Sequence, residues 1–64
     1  MTQELFQEKM EDQRLLRVGN GRLIAKKAVI NYVTYLNAIR GLVSNEEVLN
    51  KIVKALDSLN TQKV

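Results

Sequence analysis

The residues of this chain that could do chemistry are its cations. Between Gln13 and Asn45 stand Arg14, Arg17, Arg22, Lys26, Lys27 and Arg40, with no acid among them. The flanking segments hold the other four basic residues and all seven acids, so the net charge of +3 hides a cationic middle between anionic ends. Five of the six cations crowd around Gly19-Asn20-Gly21 in the stretch RLLRVGNGRLIAKK. The chemistry they offer is anion recognition. Guanidinium and ammonium groups neutralise phosphates, and the free N–H groups of a helix start bind them. Arg14, Arg17, Asn20, Arg22, Lys26 and Lys27 are therefore the expected nucleic-acid contacts, with the glycines allowing close approach. An acidic protein would be drawn by the same charges.

Other chemistry has little to work with. The chain contains no histidine and no cysteine, which removes the commonest general base, the thiol nucleophile, disulfides and thiolate metal sites. Ser44 and Ser58 suit helix caps or surface positions, and Glu8 with Asp12 fits a solvated helix face. The expectation is a non-enzymatic protein with no cofactor and no metal. Gly19-Asn20-Gly21 opens like a dinucleotide loop, but it has no third glycine and no preceding strand. Asn20-Gly21 is also a hairpin dipeptide, so a short ribbon over 17–24 stands as an alternative. The preferred reading makes Gly19 a left-handed residue that ends one helix and Asn20 the N-cap of the next.

Positioning these residues requires helices. Proline is absent and glycine is scarce, and apolar residues recur at helical spacing. We expect an all-α, single domain of three helices at about 3–18, 22–42 and 45–60, joined by short turns, so that neighbours lie near antiparallel. The first has Thr2 as N-cap and Leu5, Phe6, Met10 and Leu16 on one side, with a polar interruption between Met10 and Leu15. The second, roughly 30 Å long, places Ile24, Ala25, Ala28, Val29, Tyr32, Val33, Tyr35, Leu36, Ile39 and Leu42 on one broad face, and Gly41 ends it. The third opens with Ser44 and Glu47 as a capping box. It continues with the stripe Val48, Leu49, Ile52, Val53, Ala55, Leu56 and Leu59 and an i,i+4 pair of Glu47 with Lys51. The tail TQKV is expected to fray.

A 64-residue chain has a modest core and no staple, so a partner subunit is the expected supplement. The face of the second helix is wider than one neighbour can cover. Phe6, Ile30, Tyr32 and Tyr35 are the expected oligomer or partner interface, with a homodimer as the preferred state. A helix-turn-helix match over Ala38, Val43-Ser44 and Val48 is loose. Leu42 stands where that motif wants glycine, and Glu46 and Glu47 would open a recognition helix that must face DNA.

The longest uncharged run, Ala28 to Ile39, falls short of the ~20 residues of a membrane span. The N-terminal segment has no apolar signal core, which predicts a cytoplasmic protein. Size and charge layout are in the style of small bacterial, plasmid or phage regulators. Two functions follow as expectations: a nucleic-acid-binding regulator using the basic corner between the first two helices, or a protein-binding module (inhibitor, adaptor or anti-regulator) using the apolar face of the second.

Overall fold

The computed structural model describes residues 2–61 as five helices: α1 (Gln3–Asp12), α2 (Arg14–Arg17), α3 (Gly21–Ala28), α4 (Tyr32–Ile39) and α5 (Glu46–Thr61). No strand occurs among the described residues, so the 17–24 ribbon is overturned. The all-α class holds, but the count of three does not, because the first and second expected helices are each divided.

α1 starts where its residues dictate. Thr2 Oγ1 accepts from the Leu5 N–H at 3.2 Å, and Glu4 sits in the first turn, where the helix dipole favours an acid. Phe6 and Met10, one turn apart, are buried. The break falls at Gln13, inside the polar run between Met10 and Leu15, where no apolar side chain holds the helix to the core. One further turn, α2, buries Leu16 and leaves Leu15 94% exposed.

Val18 is extended, and Gly19 follows at φ +83°, the left-handed glycine expected there. Asn20 departs from expectation. It stands at the N-cap position of α3 without a side-chain cap bond. Its Nδ2 donates backwards to the Leu16 carbonyl at 2.8 Å, closing α2 rather than opening α3.

The largest correction concerns the expected 22–42 helix. It is two eight-residue helices separated at Val29, whose φ of 58° and ψ of 46° are left-handed. The Val29 N–H reaches Lys26 O at 3.1 Å and the Ile30 N–H reaches Ala25 O at 3.0 Å, the two closing bonds of a Schellman turn. Asn31 then caps α4, its Oδ1 accepting from the Val33 N–H at 2.8 Å. Neither glycine nor proline marks the break. A left-handed valine costs about 1–2 kcal/mol. Folding back offsets that cost by turning Ile24, Ala25 and Ala28 of α3 and Tyr35 and Ala38 of α4 into one core, where a straight helix would leave half its apolar face in water. Val29, Val33 and Leu42, expected on that face, are exposed, and Tyr32 is partly so.

Gly41 ends α4 as expected, at φ +82°. The Leu42 N–H bonds Asn37 O at 2.8 Å and the Gly41 N–H bonds Ala38 O at 3.0 Å. The cap of α5 moves by one residue. Asn45 Oδ1, not Ser44, accepts from the Glu47 N–H at 2.9 Å, so the Ser44–Glu47 box does not form. Both residue types are good caps, and the loop geometry selects the second. Along α5 the expected stripe is in place, with Val48 half-buried and the others buried. Lys51 lies 3.5 Å from Glu47. Of the tail expected to fray, residues 62–64 lie outside the described residues.

α5 is the hub, contacting α3, α1, α2 and α4. Phe6, Met10, Ile24, Leu49, Ile52 and Leu56 are its best-buried neighbourhood. α1 also holds the loop before α5. Gln7 Nε2 donates to Ile39 O at 3.0 Å and Gln3 Oε1 at 2.9 Å, and Gln3 Nε2 donates to Val43 O.

Candidate nucleic-acid interface

The structure separates the six expected contacts into two groups. Arg14 is exposed, 3.9 Å from Glu11 one turn back, a surface pair worth little. Arg17 is half-buried, and its Nε donates to Met10 O at 3.3 Å. Its guanidinium also lies beside the Tyr35 hydroxyl. Arg17 therefore ties α2 to α1 and α4 and is not an open contact. Asn20 is likewise engaged, by Leu16 O. Both corrections have the same cause: a helix end leaves carbonyls to satisfy, and the nearest donors satisfy them.

Arg22, Lys26 and Lys27 are exposed on α3. The Arg22 guanidinium lies 5.3 Å from the centroid of the Tyr32 ring, a cation–π distance. Tyr32 and Tyr35 stack with centroids 6.2 Å apart and planes 20° from parallel. Gly21 makes this possible. A Cβ there would stand 3.2 Å from Tyr32 Cε1 and 3.2 Å from Tyr35 Cε2, so the second glycine serves close packing of the rings, not a phosphate.

Lys26, one turn beyond Arg22, lies on the same flank of α3. Lys27 points about 100° away, towards α5. There it lines a cleft of about 480 Å³ with Lys51, Lys54 and Ser58, over a floor that includes Ala28, Val29 and Ala55. Sequence reading missed Lys51 and Lys54 as partners of Lys27. Their i, i+3 spacing puts them on one face of α5, but which neighbour that face meets depends on the fold-back at Val29. Lys27, Lys51 and Lys54 thus share this cleft, while Arg22 and Lys26 stand exposed on the adjoining flank of α3.

The expected interface residues also divide. Phe6 is fully buried and Tyr35 is 3% exposed, so both are core residues of the chain and neither offers a surface on the folded monomer. Ile30 is half-buried against the same core. Its polar position on a straight helix loses meaning once the helix breaks beside it. Tyr32, 37% exposed, is the most open of the four.

Burial raises the Tyr35 pKa above the ordinary 10.0; the Arg17 charge and hydrogen bond oppose this, and Tyr32 adds to it. A phenol with a raised folded-state pKa gives stability that is complete below the unfolded value of about 10 and is lost as pH rises towards the folded value. Thermal melts from pH 8 to 11.5 should show Tm falling above pH 10, with a smaller fall in Tyr35→Phe. Equal falls in both proteins would show that Tyr35 does not contribute.

Among the described residues, no group of three or more His, Cys, Asp or Glu could hold a metal ion, and no helix is long and apolar enough to cross a membrane. Compared with known proteins, the chain matches no family model, no curated protein and no solved structure.

Proposed function

We propose that this protein is a small, non-enzymatic, homodimeric regulator of the cytoplasm that binds nucleic acid through the cationic face of α3 and α5. The observation that supports it is the meeting of Lys27 with Lys51 and Lys54 across one cleft, with Lys26 and Arg22 exposed on the adjoining flank of α3. The acid beside this face, Glu47, is matched by Lys51. Phosphates are the ligand for which such a face is suited, and the affinity would be electrostatic and largely independent of sequence. The test is fluorescence anisotropy with a labelled mixed-sequence duplex and the matching single strand, across a salt series. Five phosphate contacts predict a log–log slope of about −4.5 on duplex, from about −0.9 per contact. No binding to either strand form at low salt would end this reading.

A second reading, a protein-binding module, draws on exposed apolar residues at the start of α4 and its approach: Val29 at 83%, Val33 at 60% and Tyr32 at 37%. Here the same cations would steer an acidic partner. Retention of one acidic protein from native lysate, insensitive to nuclease, would favour it over the first.

A further inference from the structure

The break between α3 and α4 is held by a residue unsuited to it. Val29 is β-branched, left-handed and 83% exposed, so no tight packing around its side chain forces that conformation. Left-handed β-branched residues are genuine outliers. From Arg22 to Arg40 the chain has neither glycine nor proline. Its apolar repeat also runs through the break without a change of phase: Ala25, Val29, Tyr32 and Leu36 recur at helical spacing. The sequence of this segment favours a straight helix, and the core of one chain requires a bent one.

A second copy of the chain resolves the conflict. If residues 29–31 become helical, α4 and α5 swing away from α1–α3 as a unit. The contacts of α3 with α4 and α5, and of α1 and α2 with α5, are lost within the chain, and the α4–α5 unit of a second copy can restore those away from the hinge. Only an identical chain offers those surfaces already matched. Val29 and Val33 would then sit mid-helix near the two-fold axis, where their counterparts can cover them. Short hinges under strain invite this exchange.

We propose that the protein forms a domain-swapped homodimer in which residues 21–39 make one continuous helix and Val29 is the hinge. This deepens the self-association in the reading above but does not depend on nucleic acid. Failure to bind DNA would leave it standing, and a strict monomer would leave the cationic face standing.

Two measurements test it. The first is light scattering over a concentration series for wild type, Val29→Gly and Val29→Ala. Glycine accepts the left-handed turn freely and alanine prefers helix. Relative to wild type, the dimer dissociation constant should rise about tenfold or more in Val29→Gly and by much less in Val29→Ala. The second uses the absence of native cysteine. Lys9 and Asp57 bridge α1 and α5 at 3.9 Å, so Lys9→Cys with Asp57→Cys can be joined by a short bismaleimide. In the isolated dimer fraction the swap requires linkage between chains, seen as twice the monomer mass on a denaturing gel. A dimer cross-linked only within chains overturns the proposal. So does a wild type that stays monomeric at millimolar concentration together with Val29→Ala.

Discussion

Reversing three charges on α3, with Arg22→Glu, Lys26→Glu and Lys27→Glu, is expected to weaken nucleic-acid binding at least about 100-fold at 50 mM salt. The effect is large because each position loses a phosphate contact and gains a repulsion. The salt slope should fall from about −4.5 to about −2, leaving only Lys51 and Lys54 in contact. Two controls separate loss of the site from loss of the fold. Acids in the last turn of α3 oppose the helix dipole by about 0.3–1 kcal/mol each, and Arg22 gives up its contact with Tyr32. The neutral triple Arg22→Gln, Lys26→Gln, Lys27→Gln avoids the first penalty and should still reduce the slope by about 2.7. Arg40→Glu changes a cation just past the end of α4 and should alter affinity less than about threefold. Undiminished binding by the folded triple variant would remove the α3 face from consideration, and the exposed apolar residues before and within α4 would become the leading surface.

Phe6→Ala should unfold the protein. Phe6 is completely buried within the cluster that includes Ile24, Leu49, Ile52 and Leu56. Truncating such a phenylalanine costs about 3–5 kcal/mol. A core this small rarely supplies more than about 3–5 kcal/mol in total, so little or no stability would remain. Far-UV circular dichroism at 25 °C should show loss of helix, and amide resonances should collapse to unfolded shifts. Leu15→Ala, at a position 94% exposed, should stay within about 0.5 kcal/mol of wild type. The comparison decides what Phe6 does. A residue at a subunit interface alone would leave Phe6→Ala folded and change only its mass in solution.

The stripe of α5 and the stops at Gly19 and Gly41 were legible because each depends on neighbours a few residues away. Helical spacing places Leu49, Ile52, Val53 and Leu56 on one side whatever they pack against, and only glycine enters left-handed backbone freely. The break at Val29 was illegible for the opposite reason. Its local preferences all favour helix, and what overrides them is the burial gained when Tyr35 and Ala38 meet the same core as Ile24. The same error misplaced Ile30 and hid the link between Lys27 and Lys54, because both depend on the direction α4 takes. The basic corner was legible as charge but not as a site. Arg17 and Asn20 have types suited to phosphate, yet each lies next to a helix end with carbonyls to satisfy, and those carbonyls engage them first.

The two glutamines of α1 have a consequence for how this chain can vary. Gln3 and Gln7 hold the connection into α5 by its main-chain carbonyls, at Ile39 and Val43, and so do not read the side chains there. Arg40, Leu42 and Ser44 all face solvent. A library randomised at these three positions should therefore retain the helical scaffold in most members. The loop is a place where new specificities can be selected while the core stays constant.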